Sequence, residues 1–585
     1  MRDAQRSAGE LLVELEEKGV TFEVVGEKLK YRDCNGSFST DEKEKVKTYK
    51  NEMLAILKKN RTLEEIRSEK EANVTKYPLT DVQGAYLIGK TEAVEWGGVG
   101  CKGYIEVNFG IHSVEELSNA WEQLVNRHEM LRARVEETGF EILEKKDMDY
   151  EIEVIDLQEM TEEERTATLS GLRKKFSEYT FDPGNPPLFQ VAITKREEGI
   201  FFHLLVDLIV SDFASVQLMV SEMGNILEGI PLKKVKTGFH DYALLKRQHK
   251  GSLKWYRDRA YWLERLADFP EEPLLPRDGR AADTKGNPQE FYRFQRRVGK
   301  AAWERIKEIA GEYGVTASAA LIGVYAEVIA RWSSNKRFTI NLPIQDRYGE
   351  SEDIHSIVGD FTVVNLLAVD MTQNMGFAER VKQITGQLLN DLEHNLFSGV
   401  EVLREFGKVS EKKEVFMPVI FTGVLKAKNE AGTIEYGFSH TPQVWIDCQV
   451  VDETDVAGTG KGLMISWDAR KGIIKESIIA EMFEAFVGTI ELLGEKTGNE
   501  WEQKLEVVLP DENKKMFSCE QVKADEKNQK IQQGVIEYAR KRREKTAVID
   551  VTGKVTYEEL LENAERIAGY LCKEFGESKR RLVAV

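Results

Sequence analysis

A chain of 585 residues exceeds what a single hydrophobic core supports, so it should divide into several folded units. With 41% hydrophobic and 31% charged residues it has the composition of a globular protein, which excludes a disordered or membrane-spanning chain. The formal charge of -18 is spread without a basic stripe, and this argues against nucleic acid as a partner.

Five cysteines (Cys34, Cys101, Cys448, Cys519 and Cys572) stand far apart, which suits neither a disulfide framework nor paired zinc ligands. Reduced thiols in a cytoplasmic protein are therefore expected. The N-terminus is charged from the start, without the apolar run of a signal peptide, and no later stretch reaches the roughly 18 apolar residues of a membrane span.

Residues 1–60 read as a small unit. A first helix carries Leu11, Leu12 and Leu15 on one face and stops at Gly19. Two short strands, Val20 to Val25 and Lys28 to Arg32, flank Gly26; Asn35-Gly36 then marks a turn. Ser39 and Glu42 are spaced as a capping box for a second helix, which should bury Val46, Tyr49, Met53, Ile56 and Leu57. This αββα order resembles the docking domains of synthetase subunits, whose exposed strand edge receives a segment of the upstream protein.

Residues 61–74 read as a linker with a Thr62/Glu65 capping box, and residues 509–533 as a second linker rich in Lys, Glu and Gln. Between them, residues 75–508 alternate helical and strand patterns without a repeat. Examples are the helices Val114 to Arg127 and Ala317 to Arg331 and the strands Ile200 to Val206 and Arg337 to Leu342. The length suggests two α/β lobes, about 75–255 and 256–508, with a binding cleft between them.

The strand Ile200 to Val206 runs into a polar loop as His203-Leu-Leu-Val-Asp207-Leu-Ile-Val-Ser-Asp212-Phe-Ala-Ser215. Condensation domains of nonribosomal peptide synthetases carry HHxxxDG here, whereas heterocyclization domains carry DxxxxDxxS, and Asp207, Asp212 and Ser215 satisfy the second pattern. Five further motifs follow in the family's order. Tyr77-Pro-Leu-Thr80 with Gln83, Ala85-Tyr86 and Gly89-Lys90 resembles [FY]PLTxxQxAYxxGR, with Lys90 in place of arginine. Arg127-His128-Glu-Met130-Leu131-Arg132 resembles RHxMLR, and Ile357-Val-Gly-Asp-Phe-Thr362 resembles IVGDFT. Val419-Ile-Phe-Thr422-Gly-Val-Leu425 resembles VVFTSxL, and Thr441-Pro-Gln-Val-Trp-Ile-Asp447-Cys-Gln449 resembles TPQVWLDxQ. Gly423 for serine, Cys448 for asparagine and Phe213-Ala214 for Gly-Trp are family variation.

The resemblance implies an α/β fold of two chloramphenicol-acetyltransferase-like lobes forming a V-shaped condensation-type domain. It also implies a reaction: amide formation between a carrier-bound acyl group and carrier-bound cysteine, serine or threonine, then cyclodehydration to thiazoline or oxazoline. Asp207 and Leu208 occupy the two histidine positions, which disfavours a plain amide-forming domain. Amide formation can rely on positioning, because an α-amino group with a pKa of about 7.7 to 8 is partly neutral at pH 7. Ring closure needs an acid-base group, and the resemblance places the cyclodehydration residues at Asp447 and Thr422, with Gln449 fixing the substrate. Desolvation beside Val444, Trp445 and Ile446 would raise Asp447 towards neutrality. The intact Thr422 and Asp447 argue against a catalytically silent carrier-binding module.

Asp207 and Asp212 are expected to be scaffolding at the tunnel floor, with Arg347 from the other lobe as partner and Ser215 completing the motif. His128 and His203 read as packed structural histidines. No bound cofactor or metal is expected, since substrates arrive on phosphopantetheine arms. The partners would be upstream and downstream carrier domains, with residues 1–60 contacting the upstream subunit. After the second linker, Lys545-Thr-Ala-Val-Ile549, Val555-Thr-Tyr-Glu-Glu-Leu560 and Val583-Ala-Val585 resemble the start of an adenylation domain, so 534–585 would be a truncated adenylation N-terminus. It has no phosphate loop and no carrier serine, and should neither activate nor carry an amino acid.

Overall fold

The structure, a computed structural model, describes residues 7–59, 62–68, 75–91, 97–98, 100–278, 290–347, 352–410, 415–424, 432–453, 460–496, 498–510, 536, 539–550 and 553–575. One compact unit spans Met1–Pro510 and a second spans Asp511–Val585. Most of the second linker, Leu425 and Val583-Ala-Val585 lie outside the described residues.

Helix α1 (Ala8–Glu17) opens with a Ser7/Glu10 capping box and buries Leu11, Leu12 and Leu15. It ends where Gly19 takes φ +84°, a left-handed conformation open to glycine at little cost. Strands β1 (Val20–Val25) and β2 (Lys28–Asp33) form an antiparallel hairpin whose two-residue turn contains Gly26 at φ +62°. The single helix expected next is two: α2 (Thr40–Thr48), capped by Ser39 and Glu42, and α3 (Lys50–Leu57). The break lies at Tyr49, with φ -91° and ψ 10°. It turns Met53, Leu54 and Ile56 onto the core while α2 buries nothing, so Val46, Tyr49 and Leu57 are only half-buried.

This module is fastened to the large domain through a helix, Leu253–Arg265. Arg257 donates to both carboxylate oxygens of Glu16 at 2.8 and 2.7 Å, and Arg259 to Glu10 at 2.6 Å. A Cβ at Gly9 would lie 2.2 Å from the ring of Tyr256, so the close approach requires glycine.

In the large domain β3 (Lys102–Asn108), β6 (Ile152–Asp156), β7 (Phe189–Arg196) and β8 (Gly199–Asp207) belong to a five-stranded sheet, beside the short hairpin of β4 (Ala133–Glu136) and β5 (Gly139–Ile142). The helix Val114–Arg127 spans the expected residues and covers this core with Leu117, Ala120, Trp121, Leu124 and Val125 at helical spacing. A six-stranded sheet has the order β11-β10-β12-β14-β15-β9. Its members are β9 (Phe291–Val298), β10 (Arg337–Gln345), β11 (Thr362–Asp370), β12 (Val419–Val424), β14 (Ile446–Asp452) and β15 (Leu463–Arg470). The helix Ala317–Trp332 packs on it and is apolar nearly all round because it is nearly wholly buried. Among the described residues no single helix is long and apolar enough to cross a membrane; one bent pair, Lys300–Glu312 and Ala317–Trp332, turns through 103° and feeds Trp303, Ile309, Leu321 and Ile329 into this core.

One strand crosses the division by residue number. Strand β13 (Thr433–His440) follows β12 in the chain yet pairs antiparallel with β3, extending the five-stranded sheet. A polar latch joins the two sheets at a second place. Arg347, just past β10, donates to Asp212 Oδ1 at 2.8 Å and Ser215 Oγ at 2.7 Å, and its other nitrogen reaches the carbonyls of Ile354 and Ile357. Ser215 Oγ donates to the Gly359 carbonyl at 2.9 Å and accepts from the Gly359 N–H at 3.0 Å.

In the second unit, β16 (Thr546–Asp550) pairs with β17 (Gly553–Thr556), and a helix, Tyr557–Phe575, follows. Thr556 and Glu559 cap it reciprocally.

Because Arg347→Ala would leave Asp212 buried and unpaired, it should destabilise the domain by about 3 to 5 kcal/mol. Chemical denaturation measures this, and a loss below about 1 kcal/mol would remove the latch from the account of how the sheets are held together.

Candidate active site

The two sheets enclose a cavity of about 540 Å³. Tyr104, Leu208 and Asp212 contribute from one side and Thr422, Asp447 and Gln449 from the other. Alternation along the strands explains which side chains arrive there. Asp447 and Gln449, two residues apart on β14, share a face, while Cys448 between them points into the hydrophobic core as a small apolar group. The parallel register sets Thr422 beside Gln449 and Ile420 beside Asp447, and the antiparallel register sets Asp447 opposite Asp468.

The structure brings these three residues together, with Gln449, expected to fix the substrate, bonded to Asp447 itself. Thr422 Oγ1 donates to Asp447 Oδ1 at 3.2 Å, and Gln449 Nε2 donates to Asp447 Oδ2 at 2.7 Å. Burial pushes the Asp447 carboxyl up to about 6, the two hydrogen bonds pull it back, and the neighbouring Asp468 charge adds to the rise. Val444, Trp445 and Ile446 are buried as expected. An acid of this strength holds its proton at pH 5 and has largely released it at pH 7, so near neutrality it can serve as donor or acceptor.

The remaining predicted residues divide differently from expectation. Arg347 pairs with Asp212 and Ser215, not with Asp207. Asp207 ends β8 within reach of the chain just after the helix Asp81–Gly89, so its ion-pair partner is Lys90, the residue that departs from the family's arginine. Asp207 lies wholly buried behind the cavity wall, and Leu208, Ser211 and Asp212 line the floor instead. Asp212 caps the helix Phe213–Leu227, accepting from the Ser215 N–H at 2.7 Å. His203 is sealed between Tyr104 at 2.8 Å and Thr194 at 2.9 Å, and burial depresses its imidazole to about 4. His128 ends the helix Val114–Arg127 and contacts Glu222 at 2.7 Å.

Sequence reasoning missed Asp468, Arg293 and Ser466. All three sit in the sheet around Asp447: Arg293 donates to Asp468 at 2.8 and 2.6 Å, Gln449 Nε2 reaches Asp468 at 3.2 Å, and Ser466 lies opposite Gln449 on the cavity wall. The one available signal was the alternation of Ser466 and Asp468 through the otherwise apolar strand Leu463–Arg470.

In infrared difference spectra between the parent and Asp447→Asn, the carboxyl band lost with the substitution should titrate near pH 6. A midpoint near the ordinary aspartate value of about 4 would remove Asp447 as a proton donor at neutral pH.

Comparisons with known proteins agree with this geometry. Residues 73–517 match the family described as Condensation domain, and residues 9–59 match the TubC N-terminal docking domain. Pyochelin synthetase PchF of Pseudomonas aeruginosa is 30% identical over 499 residues, covering 84% of this chain and 27% of that protein. Phenyloxazoline synthase MbtB of Mycobacterium tuberculosis is 26% identical over 511 residues, covering 85% of this chain and 35% of that protein. The chain thus spans about a quarter to a third of the length of these relatives. The crystal structure of the EpoB cyclization-docking bidomain from Sorangium cellulosum superposes with a TM-score of 0.65 at 28% identity, covering 85% of this chain and all of that one. The chain belongs to the condensation domain family, with a TubC-type docking domain ahead of the condensation domain.

Proposed function

We propose that the chain condenses a carrier-bound acyl or peptidyl group with carrier-bound cysteine, serine or threonine and closes the amide into a thiazoline or oxazoline. The observation that carries this reading is the Asp447 carboxyl, buried at the wall of the cavity with its proton affinity near neutrality and held by Thr422 and Gln449. The names of the relatives support it, since one is a phenyloxazoline synthase and the solved bidomain is a cyclization protein.

In the condensation step the neutral amine attacks the acyl thioester, and the cavity's main contribution is to hold the two ends together. In the second step the thiol or hydroxyl of the new residue adds to the amide carbonyl, and the resulting hydroxyl leaves as water. Asp447 supplies a proton to the departing oxygen and accepts one in return. Thr422 and Gln449 keep its two oxygens aimed. Asp212, Ser215 and Arg347 hold the floor in place, Asp207 braces the wall behind it through Lys90, and none of the four acts in proton transfer.

The hairpin β1–β2 presents Lys28, Lys30 and Arg32, with Tyr31 54% exposed, while α1 faces the large domain; this leaves a basic strand edge for the upstream subunit. Carrier domains deliver both substrates on phosphopantetheine arms to the cavity, in the cytoplasm. The second unit, with Val555 and Thr556 closing β17 and Tyr557 opening a helix, fits the start of an adenylation domain.

Given loaded upstream and downstream carriers, the parent protein should yield the ring product, and Asp447→Asn should accumulate the linear amide, heavier by one water. Ring closure should fall by about 10²- to 10⁴-fold with most amide formation retained, as read by mass spectrometry of the downstream carrier. Thr422→Ala should give the same product with a milder defect. Loss of amide formation as complete as the loss of ring closure in a folded Asp447→Asn protein would refute the division of labour. Deleting residues 1–60 should weaken transfer from the natural donor subunit and spare transfer from a donor fused to the chain; equal loss with both donors would indicate a folding role.

A further inference from the structure

Asp447 and Asp468 face each other across neighbouring antiparallel strands. Two carboxylates in that position ordinarily repel. Here one amide lies between them: Gln449 Nε2 donates to Asp447 Oδ2 at 2.7 Å and to Asp468 Oδ2 at 3.2 Å. Because both neighbours are acceptors, the Gln449 amide has a single workable orientation, with its nitrogen towards the carboxylates and its oxygen away from them. Asp468 is itself held. Arg293 on β9 grips it at 2.8 and 2.6 Å, and the Ser439 N–H on β13 donates to it at 3.1 Å. Ser439 belongs to the other sheet, so the carboxylate that orients Gln449 is also a point where the two sheets meet.

We propose that Asp468, clamped by Arg293, is a positioning residue for ring closure, which fixes the Gln449 amide and through it the direction and charge state of the Asp447 carboxyl. The proposal rests on the assignment of ring closure to Asp447. It explains why a charged aspartate, 2% exposed, stands in a strand whose neighbours are apolar. It also links the Asp447 proton to the seating of β13, because that seating supplies one of the hydrogen bonds that steady Asp468.

The charges around Asp447 set the sign of the test. Asp468 on β15 raises its proton affinity and Arg293 on β9 lowers it. On β12 and β14 the adjoining groups, Thr422 and Gln449, are uncharged. Towards the core, Cys448 and Tyr325 of the helix Ala317–Trp332 are driven far up by burial and stay neutral; on β13, His440 is driven down to about 3 and is neutral too. Neutralising Asp468 therefore removes a negative charge and leaves Arg293 uncompensated, and both changes lower the Asp447 value.

The experiment uses the full chain with carriers bearing an acyl group and cysteine, and follows linear amide and ring by mass across a pH series. Asp468→Asn should lower the ratio of ring to linear amide about tenfold. It should also move the pH limb of ring closure by about one unit to lower pH. Arg293→Lys keeps a positive charge on a shorter side chain, which draws the cation back from the two Asp468 oxygens that a single Arg293 nitrogen now holds, so the ratio should fall while the limb stays in place. A folded Asp468→Asn protein with the parental ratio and limb overturns the proposal, as does one that loses amide and ring formation equally, which would make the pair purely structural. Where Asp468→Asn does not fold, Arg293→Lys decides: a parental ratio overturns the proposal and a reduced ratio on an unmoved limb supports it. Asp447→Asn separates the two layers. If it closes rings at the parental rate, the underlying assignment fails; if it loses ring closure while Asp468→Asn retains it on an unmoved limb, only the role of Asp468 fails.

Discussion

Burial of the Arg347 guanidinium between the two sheets is the constraint on which the rest of this domain depends. Taking a cation and the Asp212 carboxylate out of water is costly, and the cost is offset by close pairing and further hydrogen bonds. Here one terminal nitrogen reaches both Asp212 and Ser215, the other reaches the Ile354 and Ile357 carbonyls, and the cation lies 4.0 Å from the centre of the Phe361 ring. The motif around Asp212 and Ser215 and the motif around Gly359 are two halves of one device. A side chain at Gly359 would run into the Phe239 ring at 2.1 Å, so the backbone there must be bare for Ser215 to reach it. Together they tie the two cavity walls to each other.

The raised proton affinity of Asp447 follows from how close those walls are held. Asp447 projects from the middle of a sheet whose other face is hydrophobic core, and the facing sheet keeps water from it. Without the second sheet its carboxyl would be solvated and would ionise in the ordinary range. The structure thus converts a packing relation between two lobes into a proton affinity suited to neutral pH.

The chain after β8 offers no histidine pair, and the buried carboxyl with the raised proton affinity lies in the six-stranded sheet instead. Leu208 at the second histidine position lines the cavity and offers only packing, and Asp207 is consumed by its ion pair with Lys90.

The sequence by itself determined the local structure. Serine or threonine with glutamate three positions on marked the starts of helices at Ser39 and Thr62, and reciprocal hydrogen bonds form at both. Apolar spacing located Val114–Arg127 to the residue, and the motif from Thr441 to Gln449 brought Asp447 and Gln449 to one face by alternation alone. Only the tertiary structure decided what those faces meet. Periodicity reports that a side of an element is buried, not which neighbour buries it; thus the docking of β13 onto the other sheet, the pairing of Asp207 with Lys90 in place of Arg347, and the helix break at Tyr49 could not be read in advance. The same holds for Arg293 and Asp468, which are far from Asp447 in different parts of the chain and become its neighbours through strand register, a property of the folded sheet and not of any local run of residues.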